Sequence, residues 1–210
     1  PSPPATRAST AAVRAKTAAP RETEKAALSQ SEMPRFVQPS LASLVATPAS
    51  SDRYIHEIKF DGYRIQPHIS EGKVRLLTRS GLDWSRKFGQ QIAKALSPLA
   101  NTAILDGEIV VEGAGGASDF SALQEALTNK KHGELVLYLF DIIYLNGKDL
   151  RPLPQIERKN LLKGLLTNVT GPIRYSEHFN ESGDIFLAHA CRLSLEGMIS
   201  KLKTAPYASG

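Results

Sequence analysis

The run from Leu135 to Tyr144 reads Leu-Val-Leu-Tyr-Leu-Phe-Asp-Ile-Ile-Tyr, and no other stretch limits the fold so tightly. Apolar, aromatic and β-branched residues in a run this short mark a strand, and Asn146-Gly147 closes it with a turn. It is the most apolar strand of the chain, yet Asp141 sits inside it.

The other elements arrange themselves around this strand. Residues 104–111 form a second apolar strand, with Asp106 and Glu108 in its middle. Tyr54, Ile55, Ile58 and Phe60 favour extended backbone, and Asp61-Gly62 supplies a turn. Alternation there places Glu57, Lys59 and Asp61 on one face and Ile58 and Phe60 on the other. Leu76-Leu77-Thr78-Arg79 follows a Glu71-Gly72 turn, so residues 50–80 read as a hairpin with Ile65, Ile69 and Val74 in the core. Helical spacing covers 88–99, 119–127 and 156–166, and 181–191 reads as a helix, while 173–178 is a further strand. Strands with irregularly spaced helices between them give an α+β fold of antiparallel character.

Residues 1–32 are rich in Pro, Ala, Ser and Thr and hold almost no large apolar side chains. They read as a linker or tail, with the domain spanning 33–210. The net charge of +5 is compatible with a phosphate-bearing partner. The single Cys191 excludes an internal disulfide and a cysteine-based zinc site, and fits a reducing compartment. No apolar run approaches the roughly 20 residues of a membrane span. The five histidines show no ligand spacing and read as surface or satisfied core residues.

Three strands carry polar groups where burial is expected: Lys59 with Asp61, Asp106 with Glu108, and Glu196 with Lys201. A buried carboxylate needs a base, a metal or a hydroxyl. Each pair alone is compatible with a solvated edge, a bulge or an ordinary turn; together they point to one shared pocket. Lys59 in such a pocket is a candidate nucleophile, provided its proton is removed. Phe140 is either plain core or a platform on which a base stacks. Arg79 offers a guanidinium to a phosphate or sugar.

These segments resemble the covalent nucleotidyltransferases: ATP-dependent DNA ligases, RNA ligases and mRNA capping enzymes. Lys59-Phe60-Asp61-Gly62-Tyr63-Arg64 is similar to the family's Lys-x-Asp-Gly-x-Arg motif. Thr78-Arg79-Ser80-Gly81, Leu105-Asp106-Gly107-Glu108, the strand ending in Phe140-Asp141, and the segment from Glu196 to Lys201 follow in the family's order. The wording around Lys59, with Ala205-Pro206-Tyr207, most resembles the ligase domain of the bacterial ligase D type.

The resemblance implies a nucleotidyltransferase (ATP-grasp-like) fold, with ATP and Mg²⁺ (or Mn²⁺) as cofactors and nicked or broken duplex DNA as partner. It implies that Lys59 forms a lysyl-AMP that is passed to a 5′-phosphate. Glu57 reaches the adenine amino group beside the Ile58 backbone, Phe140 stacks on the base, and Arg64 and Glu108 fix the ribose. Arg79 places AMP or the nick phosphate; Glu196, with Glu108, holds the metal. It also implies repair polymerase and end-binding partners and a cytoplasmic, nucleoid-associated setting. The family's next motif, typically Trp-x-Lys-x-Lys, is expected after Gly210, as is an OB-fold domain. The expectation is therefore a shortened adenylation domain that seals nicks weakly, or a nucleotide- or DNA-binding remnant without activity.

Overall fold

The computed structural model describes residues 30–113, 116–192 and 195–210. Most of the expected tail, residues 1–29, lies outside the described residues. The last part of that tail already belongs to the fold, since Gln30 pairs with Lys148 and the Ser31 amide donates to the Gly147 carbonyl.

The apolar run becomes the central strand β5 (Leu135–Leu145). Along one edge it pairs antiparallel with β4 (Thr102–Val111). Its other edge is shared by β6 (Lys148–Asp149), which follows the Asn146-Gly147 turn, and by the parallel β7 (Ile173–Tyr175). β4 pairs in turn with β2 (Tyr63–Ser70), and β2 with β3 (Lys73–Thr78), completing a six-stranded sheet.

Side chains alternate across this sheet. Ile65, Ile69, Leu105, Ile109, Leu137 and Leu139 join one apolar cluster. Three helices add to it: α1 (Gln90–Leu96) through Ile92 and Leu96, α2 (Phe120–Thr128) through Leu123, and α3 (Gln155–Leu165) through Leu162. The Asp119 carboxylate caps α2 by accepting from the Ala122 amide. The opposite face carries Arg64, Gln66, His68, Asp106 and Glu108, and a small second cluster of Val37, Ile104, Ile143, Tyr144 and Tyr207.

The expected hairpin over 50–80 is corrected. Only β2 and β3 form one, across the Glu71-Gly72 turn. β1 (Tyr54–Ile58) pairs instead with β8 (Met198–Leu202), from the far end of the sequence, as a separate two-stranded sheet. α4 (Gly183–Arg192) packs near both. β1 ends at Ile58, so the alternation predicted through Lys59 and Asp61 breaks there. Phe60 leaves the expected core face and stacks on Tyr138 with ring centroids 4.2 Å apart. Gly62 is required by proximity, not by a left-handed turn: a β-carbon there would strike the Ile109 carbonyl of β4. Gly107 is held to glycine in the same way by the Tyr138 carbonyl, beside a shift of register between β4 and β5.

Candidate active site

The two sheets enclose a cleft of about 590 Å³. Glu57, Ile58, Lys59, Arg64, Arg79, Glu108, Phe140 and Glu196 all line it. The remaining polar interruptions, Asp61, Asp106 and Lys201, line it too. Elements distant in sequence therefore meet at one place, because β1 and β8 are laid against the polar face of the large sheet.

Lys59 leaves the end of β1 with its amide donating to the Gly197 carbonyl at 3.0 Å. Its Nζ forms an ion pair with Glu196 Oε1, both side chains being partly open to the cleft. The preceding Glu57 is buried in the opposite sense, with 2% of its side chain exposed. Lys201 Nζ stands 2.9 Å and Lys159 Nζ 3.1 Å from its Oε1, while the Ser176 hydroxyl donates to Oε2 at 3.1 Å.

Arg64 was expected at a ribose, but its guanidinium is committed to the wall. Nε and Nη2 donate to Asp106 at 3.0 and 2.8 Å, and Nη1 donates to the Ser40 carbonyl at 2.7 Å. Burial works against this charge, yet Asp106 raises the Arg64 pKa well above its ordinary value. Tyr207 adds a hydrogen bond to Asp106 at 2.7 Å. The Arg64 guanidinium lies 5.3 Å and the Lys201 ammonium 4.8 Å from the Phe140 ring centroid.

Burial pushes the Glu108 carboxyl up to about 8, and Asp106 and Asp61 push in the same direction, against Arg64 and Lys59. Among the described residues no group of three carboxylates, histidines or cysteines is arranged to hold a metal by itself. Glu108 and Glu196 are two separate oxygen donors on the cleft wall.

Several residues at the cleft carry no partner or role in the sequence reading, Asp141 standing there only as a charge inside an apolar strand. Asp141 lies at the cleft and is bound by Arg158 at 2.8 and 3.0 Å and by Gln155 at 3.2 Å. Arg158 and Lys159 sit in a helix whose Lys/Leu composition signals only an amphipathic surface helix. Their partners are set by tertiary packing, so no local pattern announces them. Ser40, Leu41 and Ala42, to which the sequence assigned no role, also line the cleft.

A family model described as "ATP dependent DNA ligase domain" matches residues 39–210. Over 180 residues the chain is 42% identical to the multifunctional non-homologous end joining protein LigD of Pseudomonas aeruginosa, covering 84% of this chain and 21% of that protein. It is 31% identical over 173 residues to the SPbeta prophage-derived DNA ligase-like protein LigB of Bacillus subtilis, covering 82% of this chain and 63% of the other. Among solved structures, mycobacterial DNA ligase D complexed with ATP and MES superimposes with a TM-score of 0.73 at 27% identity, covering 84% of this chain and 57% of that one. The chain thus spans about a fifth of the first of these curated relatives and less than two thirds of the second.

Proposed function

Because this chain belongs to the ATP-dependent DNA ligase domain family, we propose that its cleft binds ATP and transfers AMP through Lys59 to the 5′-phosphate of nicked or broken DNA. The observation that carries this reading is the convergence of Lys59, Glu57, Glu108, Phe140 and Glu196 on one cleft. The cleft lies between two sheets and is large enough for a nucleotide.

In this reading the Lys59 amine attacks the α-phosphorus of ATP. A P–N bond forms as the bond to pyrophosphate breaks, and the lysine proton is lost beforehand. An oxygen of the 5′-phosphate of a nick then attacks the AMP phosphorus; a P–O–P bond forms as the P–N bond breaks, and Lys59 takes back a proton. The adjacent 3′-hydroxyl, losing its proton, attacks the 5′-phosphorus and displaces AMP to form the phosphodiester. Lys59 Nζ is paired with Glu196, so attack requires that carboxylate to be drawn elsewhere. Mg²⁺ bound by Glu196 and Glu108 together with phosphate oxygens would supply charge neutralisation. The residues fit such an ion: Glu108 is a carboxyl whose charge burial and neighbouring acids disfavour, and a divalent cation reverses that balance.

The adenine is placed between Glu57 and Phe140, with the Ile58 backbone at its edge. Arg64 acts through Asp106, keeping the Phe140 wall in place. Arg79, exposed at the rim, suits a phosphate of the nucleotide or the nick. The partners are duplex DNA and the polymerase and end-binding proteins of an end-joining complex. The setting is the bacterial cytoplasm. No described helix is long and apolar enough to cross a membrane.

The test is incubation with ATP labelled at the α-phosphate and Mg²⁺, followed by denaturing electrophoresis. The unsubstituted chain is expected to carry label and Lys59→Ala none. Label retained by Lys59→Ala, or absent from both, overturns the assignment.

A further inference from the structure

Lys159 is a lysine with no exposed side-chain surface, and the reaction outlined above makes no use of it. It projects from the first half of α3, whose later residues serve the apolar core. Its ammonium donates to the Ser176 carbonyl at 2.7 Å and lies 4.6 Å from the centroid of the Tyr175 ring. The third feature of its surroundings is the Glu57 carboxylate, at 3.1 Å. A buried cation is costly unless a charge partner is fixed beside it, and Glu57 is that partner.

Glu57 has two counter-ions of different kinds. Lys201 is partly exposed and also lies over the Phe140 ring, where an incoming base would stack. A base on that face competes with Lys201 for its place. Lys159 is enclosed by α3 and the strand end at Tyr175-Ser176, away from solvent, and stays when Lys201 moves. The geometry also leaves Glu57 something to offer. Oε1 is buried, and neither ammonium is aligned with it as a hydrogen-bond donor, although both lie close enough for strong Coulombic attraction. Oε1 thus becomes available to an incoming base where Lys201 gives up its place.

We infer that Lys159 is a positioning residue for nucleobase selection. It is the enclosed counter-ion that holds the Glu57 carboxylate oriented in the cleft, so that Glu57 accepts a hydrogen bond from a 6-amino purine and repels a 6-oxo purine. This rests on the nucleotide reading of the cleft. Lys159 touches no part of the nucleotide; it acts through Glu57. An ionised carboxylate beside a keto oxygen leaves two acceptors facing each other with no proton between them, which is the arrangement that discriminates most strongly between analogues. A carboxylate left without the partner that fixes it turns away from the base, and the discrimination falls.

The experiment compares equilibrium binding of ATP and inosine triphosphate, which carry an amino or an oxo group at position 6 and, with it, an acceptor or a donor at N1. Calorimetry on the purified chain separates binding from catalysis. The unsubstituted chain is expected to favour ATP. Lys159→Met is expected to reduce the ATP-to-inosine-triphosphate affinity ratio at least tenfold, and Lys159→Arg to restore most of it. A purely structural role would weaken both nucleotides together and leave the ratio unchanged, which would overturn the inference. Glu57→Gln provides a second arm in which no buried carboxylate is orphaned if Lys159→Met alone does not fold. In that background Lys159→Met is expected to change the ratio less than twofold, and a larger change overturns the coupling through Glu57. Failure of the unsubstituted chain to bind either nucleotide sinks the nucleotide reading and this inference with it. Tight binding with an unchanged ratio in Lys159→Met sinks the inference alone.

Discussion

The two faces of the six-stranded sheet share strands but not chemistry. On one face Ile65, Ile69, Leu105, Ile109, Leu137 and Leu139 meet apolar side chains of helices α1, α2 and α3 in one cluster. On the other, the same strands present Arg64, Gln66, His68, Asp106 and Glu108, and what covers them is the β1–β8 ribbon and the segment around Ser40. The first face gains stability by removing apolar surface from water. The second spends part of that stability on buried ion pairs, whose desolvation offsets much of their attraction. A strand whose alternate residues obey opposite rules lets one sheet be both scaffold and cleft wall.

The sharpest way to break this division is on the apolar face. Phe88 is fully buried between the sheet and α1, and its ring also faces Tyr63 and Trp84. Phe88→Ala leaves a cavity that the surrounding helices cannot close, at a cost of about 3–5 kcal/mol. Urea unfolding is the measurement. A loss below about 1 kcal/mol would mean that the helix-covered face does not carry the stability assigned to it.

The polar face answers to pH instead. His68 is buried beside Gln66, and burial together with Arg75 pushes its pKa down to about 4. The unfolded chain binds a proton near the ordinary value of 6.5, before the folded chain does, so stability falls as pH drops from about 6.5 towards 4. The full shift corresponds to about 3 kcal/mol. His68→Gln is expected to flatten that part of the stability–pH curve relative to the unsubstituted chain. An identical slope in both proteins would place the acid sensitivity elsewhere.

What could be read from the sequence follows the same division. The apolar face was legible because its signals are local: the Leu135–Tyr144 run, the helix over 119–127, and the turns at Glu71-Gly72 and Asn146-Gly147 all lie within a few residues of what they shape. The polar face was legible as charges out of place, and the family motifs named the groups that line the cleft. Neither source gave the partner of β1. Alternation tells which side chains share a face but not which distant strand supplies the backbone partners, and β8 lies across most of the sequence. The same limit hid the burial of Arg158 and Lys159, whose partners Asp141, Glu57 and Ser176 lie on other elements. It also hid the use of Arg64 as a clamp on Asp106.

The smallest effect on stability is expected where the effect on function is largest. Lys59 is 45% exposed and its partner Glu196 35%, so solvent screens the pair and its net contribution is within about 1 kcal/mol. The backbone there is fixed independently of the side chain, by the hydrogen bond that the Lys59 amide donates to the Gly197 carbonyl and by the stacking of Phe60 on Tyr138. Lys59→Ala removes the ammonium and leaves Glu196 free to hydrate, without opening a cavity in either apolar cluster. Its melting transition should therefore stay close to that of the unsubstituted chain while covalent labelling by ATP disappears. A destabilisation above about 2 kcal/mol would show that Lys59 holds the two sheets together. The separation between a load-carrying face and a reactive cleft would then fail at its central residue.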